Sequence, residues 1–183
     1  MSQFRVHSID SAPERSRPAL EQLQQNFGLI PSVAGVMAAS PTLLGGFAGV
    51  FQQVHHGTFN EAEIQVLLLS NAVTNQSAWA VAFHSALALK EGVAHADVEA
   101  IREARAPASA KPAALFTLTR ALLERRGRLG KQELDAFRSA GFDAAQVFEV
   151  ILVLAASLMT NYSANLAQPE LEAPFREFAW VAP

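Results

Sequence analysis

Cysteine is missing from all 183 residues. Its absence excludes thiol catalysis, disulfides, iron–sulfur clusters and cysteine-ligated zinc, and it leaves the redox compartment unread. Charge is scarce too: Asp, Glu, Lys and Arg make up 17% of the chain, with a formal net charge of −3. The Lys and Arg residues are scattered singly, so no basic stripe exists to neutralise a run of phosphates, and no nucleic-acid partner is expected. No alternating run rich in Val, Ile and Thr appears, which argues against a sheet. The first ten residues, MSQFRVHSID, lack the apolar stretch of a secretory leader, so the expected home is the cytoplasm.

What is present is apolar and helical. Half of the residues are hydrophobic, more than a monomer of this size needs to cover its core, which points to a homo-oligomer. The length suits one domain, residues 1–183. Apolar residues recur at three and four, and this period predicts an all-α fold. Helices are expected over Pro18–Phe27, stopped by Gly28, and over Ser32–Ala39. The pair Ser40-Pro41 starts a third, running to about His56. Asn60 stands three residues before Glu63, a capping box that opens a helix from Glu61 to about Asn75. Further helices are expected from Ser77 to Gly92, then over Ala96–Ala104, Pro112–Arg126, Lys131–Ala140 and Asp143–Ala167, with breaks at Gly127, Gly130 and Gly141. The greasiest stretch, Val147 to Met159, contains Glu149 and Ser157 and is shorter than the roughly 18–20 residues of a membrane span. It predicts a central helix buried all round, and no membrane partner. At an offset of 70 residues, Gly57, Phe59, Glu63 and Ile64 echo Gly127, Leu129, Glu133 and Leu134, which hints at a duplicated helical hairpin.

The residues able to carry chemistry gather around one predicted helix. Ala80 and His84 are four apart and share a face, at roughly 6 Å between Cβ atoms. That spacing suits proton exchange between an imidazole and a nucleophile, but position 80 offers only a methyl group. Ser77 lies about 10 Å along the axis from His84, too far for a serine–histidine dyad, and reads most simply as the helix N-cap. His84, set among Ala82, Phe83, Ala86 and Leu87, reads either as a packed core histidine or as a proton relay. Glu63 has a local role at its helix start and is also a candidate pocket residue with Trp79 and Phe83. Gln65 stands at the edge of the apolar run Val66–Leu69 and points either to solvent or into a pocket, which Trp79, Phe83 and Leu67–Leu69 would line. His55 and His56 are adjacent and point to different faces, so no metal site is expected.

At these residues the chain resembles the carboxymuconolactone decarboxylase superfamily, within it the peroxidase-related branch similar to AhpD, the alkyl hydroperoxidase partner protein. The resemblance runs from about Gly28 to Trp180. It includes Phe59-Asn60-x-x-Glu63-x-Gln65, the helix from Asn75 to Gly92, Ala140-Gly141-Phe142-x-x-x-Gln146, Asn161-Tyr162-x-x-Asn165 and the tail Pro174-Phe175-x-x-Phe178-Ala179-Trp180. It implies an AhpD-like helical bundle assembled as trimers or hexamers. In redox-active members a cysteine pair occupies the positions of Ser77 and Ala80, while the histidine at His84 and commonly a glutamate at the position of Gln65 assist proton transfer. Here both thiols are gone, and Gln65 cannot exchange a proton as a carboxylate would. Thiol peroxidase activity is therefore expected to be absent. Two function classes stay open. One is a cofactor-free protein or enzyme whose pocket takes a small organic ligand beside His84, with Arg120, Arg125 or Arg126 available to hold a carboxylate if they approach. The other is a non-catalytic oligomeric scaffold. The family-level labels of alkylhydroperoxidase, peroxidase-related oxidoreductase or carboxymuconolactone decarboxylase fit either.

Overall fold

The computed structural model describes residues 3–182. Met1, Ser2 and Pro183, the ends of the stretch read as one domain, lie outside the described residues. Among those described there is no strand. Nine α-helices follow in order: α1 Arg17–Phe27, α2 Ser32–Met37, α3 Pro41–His55, α4 Glu61–Thr74, α5 Ala78–Lys90, α6 His95–Arg102, α7 Ala110–Glu124, α8 Lys131–Ser139 and α9 Ala144–Ala167. Short 3₁₀ turns at Glu14–Ser16 and Ala173–Phe178 flank them. Every helix expected from the periodicity is present, with no bound shifted by more than two residues.

Local chemistry explains the helix ends. Gly28 stops α1 in the left-handed region at φ 73°, where a Cβ would be strained. Ser40 Oγ accepts from Leu43 N–H and caps α3. Asn60 and Glu63 bond reciprocally to each other's backbone N–H, closing the expected capping box. The echoed position repeats half of that device, since Glu133 Oε2 accepts from Gly130 N–H while glycine has no side chain to return the bond.

The central helix is α4, from Glu63 to Val73 buried without interruption. It packs against α5, α7 and α9, and α9 also touches α2, α3 and α5. This corrects the sequence reading of α9 as the helix buried all round. One side of α9 closes the core through Val150, Val153, Leu154, Ala156 and Ala164. The other exposes Phe148 (73%), Ile151 (45%), Tyr162 (58%) and Leu166 (69%), at successive spacings of three, eleven and four that keep them on one helix face. At 24 residues α9 is also long and apolar enough, by length and composition, to cross a membrane. The sequence reading counted only Val147–Met159, beyond which Thr160, Asn161, Tyr162 and Ser163 follow.

The C-terminal segment straps the bundle shut. Glu172 accepts hydrogen bonds from Trp79 Nε1 and from Ser32 N–H, joining α5, α2 and the tail. Arg102 donates to the carbonyls of Phe178 and Ala179, and Trp180 Nε1 returns a bond to the Arg102 carbonyl. At the other end of the chain the His7 N–H bonds to the Gly35 carbonyl, and only a glycine fits there because a Cβ would meet Val6 Cγ1 at 2.7 Å.

Candidate functional site

The α4–α5 hairpin brings Gln65 and His84 together. Nineteen residues apart in sequence, they face each other across the hairpin, with His84 Nδ1 2.9 Å from Gln65 Oε1. Both side chains are buried. Burial alone lowers the His84 pKa from 6.5 to about 3, because no neighbouring charge offsets the lost hydration of an imidazolium. The ring is therefore neutral throughout the physiological range, and no imidazolium is available as a general acid at neutral pH.

His84 lies at the edge of a narrow cavity of about 40 Å³, enough for one or two waters or a few heavy atoms. Its walls come from Leu23 and Phe27 of α1, Pro31, Val33, Ala34 and Met37 around α2, Phe47 and Phe51 of α3, Leu68 of α4, Trp79 and Phe83 of α5, and Ser157 and Thr160 of α9. Aromatic rings stiffen one side. Trp79 stacks on Phe83 at 4.9 Å between centroids, and Phe83 meets Phe27, Phe175 and the His84 ring edge-on. Leu23, Phe27, Phe47 and Phe51 also line a groove of about 730 Å³ between α1 and α3, so these side chains form the wall between groove and cavity.

The sequence-predicted residues divide. His84, Trp79 and Phe83 line the cavity, and Gln65 points inward to His84 rather than to solvent. Of the Leu67–Leu69 run only Leu68 reaches the cavity wall. Ser77 and Ala80 are sealed at 0% exposure and form no part of that wall. Ser77 takes the N-cap position of α5, yet its side chain makes no capping bond and its Oγ has no partner among the described residues. Glu63 stands apart. Its carboxylate is spent on the Asn60 N–H and on the Lys111 ammonium at 3.0 Å, and it borders a different depression.

Nor do the arginines approach. Arg120 binds the Ala104 carbonyl and Glu124, Arg125 pairs with Glu133, and Arg126 is exposed beyond the end of α7. No cation lines the cavity, so a carboxylate has nothing there to offset its desolvation. Among the described residues no three His, Asp or Glu side chains gather as metal ligands. His55 Nδ1 instead lies 2.9 Å from Glu61 Oε1.

Sequence reasoning missed a buried polar seam between α4 and α9. Asn161 Nδ2 donates to Asn71 Oδ1 and Ser157 Oγ, while Asn71 Nδ2 donates to the Leu154 carbonyl. Asn165 Nδ2 extends the seam to the Asn75 carbonyl. The i, i+4 spacing of Asn71-Asn75 and Asn161-Asn165 was its visible trace. The phenylalanines of α1 and α3 that wall the cavity carried no signal, because in sequence they look like any amphipathic stripe.

Fold and site together define a thiol-free, all-helical protein with a small apolar cavity that ends on a neutral histidine. The chain matches the family model described as carboxymuconolactone decarboxylase family over residues 41–124, which span α3 to α7. It is similar in fold to an uncharacterized peroxidase-related protein with an alkylhydroperoxidase AhpD core from Ralstonia eutropha JMP134, at TM-score 0.80 and 18% identity over 95% of this chain and 94% of that one. A peroxidase-related protein from Silicibacter sp. TM1040 superposes at TM-score 0.74 and 15% identity, covering 94% and 92%. The debrominase Bmp8 superposes at TM-score 0.77 and 18% identity, covering 97% and 96%. A cysteine-to-alanine variant of that debrominase, in complex with 2,3,4-tribromopyrrole, superposes at TM-score 0.73 and 19% identity over 97% of both chains. No curated protein matches the sequence.

Proposed function

We propose that this chain is a cofactor-free small-molecule pocket protein, a member of its superfamily that has left thiol peroxidase chemistry and uses His84 as the polar anchor of an otherwise apolar site. The observation that carries this reading is the cavity: apolar walls converging on one buried imidazole whose second ring nitrogen has no partner among the described residues. With no cysteine anywhere in the sequence, no sulfenic acid or disulfide step can run. The absence of a cation beside His84 weighs against the decarboxylase label, whose acidic substrate would need one. The debrominase variant offers a precedent of form, since that protein holds a halogenated pyrrole after losing a cysteine to alanine.

Ligand-dependent melting tests the reading. Millimolar 2,3,4-tribromopyrrole and small neutral aromatics should raise the melting temperature, as any ligand selective for the native state does. Ala34→Leu, which places a larger side chain in the cavity wall, should abolish the rise. If no compound in the set raises the wild-type value, the pocket reading fails.

The alternative, an oligomeric scaffold, is favoured by the exposed α9 face. We propose that this face joins subunits into a trimer or hexamer in either reading. Most apolar residues of α5 are already buried within the chain, with Leu87 and Leu89 half-buried. Fully covering Phe148, Ile151, Tyr162 and Leu166 would contribute roughly 400–500 Å² on typical side-chain areas, about half of one side of a standard interface. The half-buried Leu152, Leu158 and Met159 beside them extend the face.

A further inference from the structure

The group that faces His84 Nδ1 decides what the ring can do, and here it is the Gln65 side chain. A carboxylate beside an imidazole favours the doubly protonated ring and so permits a proton relay. A glutamine oxygen carries no charge and can only accept. Gln65 Oε1, 2.9 Å from His84 Nδ1, therefore places the single proton of a neutral imidazole on Nδ1. Nε2 is left as a bare lone pair with no hydrogen-bond partner among the described residues. The other polar groups of the cavity are already engaged. Thr160 Oγ1 donates to the Ser157 carbonyl, and Ser157 Oγ accepts from Asn161 Nδ2.

We propose that Gln65 locks His84 in the Nδ1–H form, so that the cavity presents Nε2 as an acceptor and selects neutral molecules that donate an O–H or N–H to it. This rests on the small-molecule reading above. A ligand without a donor leaves Nε2 dry and unpaired, and an anion sets lone pairs against lone pair with no cation nearby. Selection thus acts on one hydrogen bond. Entry of even a five-membered ring into about 40 Å³ requires the Phe27 or Phe51 ring, in the wall shared with the α1–α3 groove, to swing aside.

Two measurements test the proposal. Long-range ¹H–¹⁵N correlation spectra of the wild-type protein, labelled at histidine, should show Nδ1 protonated and Nε2 bare at His84 from pH 5 to 8. A protonated Nε2, or rapid exchange between tautomers, overturns the lock. Gln65→Glu should bring a second proton onto the ring near neutral pH, and Gln65→Leu should release a tautomer mixture. Unchanged spectra in both variants would remove Gln65 from the argument. For selectivity the probes are pyrrole and furan, rings of nearly one shape of which only pyrrole donates. Wild type should bind pyrrole about ten-fold more tightly, the scale of one buried acceptor left unpaired, and His84→Leu should bind the two alike. Equal wild-type binding overturns donor selection while leaving the pocket intact. Binding of neither probe, with no response to the aromatic set, overturns the pocket reading and donor selection with it, and the spectra then decide the tautomer alone.

Discussion

Acid should destabilise this protein through one residue. The unfolded chain protonates His84 near pH 6.5, whereas in the folded chain burial holds the ring neutral down to about pH 3. Between those values the unfolded state binds one proton more than the folded state, so stability is full above pH 6.5 and falls as pH drops through the window. From pH 7 to pH 5 the loss is about 1.5 pH units at 1.36 kcal/mol each, or about 2 kcal/mol, with a limit near 5 kcal/mol at pH 3. Against a typical stability of about 5–15 kcal/mol, His84 alone removes a large part by pH 4. The assay is urea unfolding at fixed chain concentration, comparing wild type with His84→Gln, which keeps a polar group opposite Gln65 but does not titrate. The other four histidines contribute to both proteins and cancel in the difference. The wild-type curve should lose about 2 kcal/mol more than the variant between pH 7 and pH 5. Parallel pH profiles would show that His84 takes up its proton in the folded state at an ordinary pH, and the account of a desolvated, uncompensated imidazole would be refuted.

Further perturbations follow from the same structure. Glu172→Gln replaces a charged acceptor shared by Trp79 Nε1 and the Ser32 N–H and should cost about 1–3 kcal/mol, read as a lower urea midpoint. Asn161→Leu strips partners from the Asn71 and Ser157 side chains in a fully buried seam and should cost a similar amount; an unchanged midpoint would show that the seam is not a net contributor. Ser77→Cys with Ala80→Cys should give thiols that a bulky disulfide reagent reaches only after unfolding, because both positions are sealed at 0% exposure, and rapid labelling of the native protein would place them at a surface instead. Phe148→Asp with Leu166→Asp should lower the mass seen by light scattering toward the 19.7 kDa chain while leaving the helical circular dichroism unchanged, and an undiminished assembly would move the subunit contact off α9.

Much of the fold was legible because helix signals are local. Ser40-Pro41, the Asn60–Glu63 box and Gly28 each act within a few residues, so their consequences are written where they occur. Burial is different. Both α4 and α9 read as continuous apolar stretches, yet α4 is buried from Glu63 to Val73 while α9 leaves Phe148, Ile151, Tyr162 and Leu166 exposed along one face. Which of two greasy helices takes the centre depends on chain return, and periodicity carries no such information. The site was legible in part for the same reason. Position 84 and its glutamine partner could be read through resemblance, but the arginines that a sequence leaves free to approach are each committed elsewhere, and the wall of phenylalanines comes from helices far away in the chain.

The departures from the family pattern are mutually consistent as chemistry. A redox cysteine needs a base to make a thiolate, and that base needs a counter-charge to keep its own pKa near neutrality. If Ser77 and Ala80 stand where redox-active relatives carry their cysteines, as the resemblance implies, no proton has to be taken from position 80. A charged glutamate at position 65 would then be a desolvated carboxylate serving no reaction, at a cost of several kcal/mol unless it drew a proton onto His84. Glutamine removes that cost while keeping the 2.9 Å bond. Restoring any one of these groups alone should therefore gain nothing. A thiol without the relay stays protonated, and a carboxylate without the thiol raises the His84 pKa but leaves no nucleophile for the ring to serve.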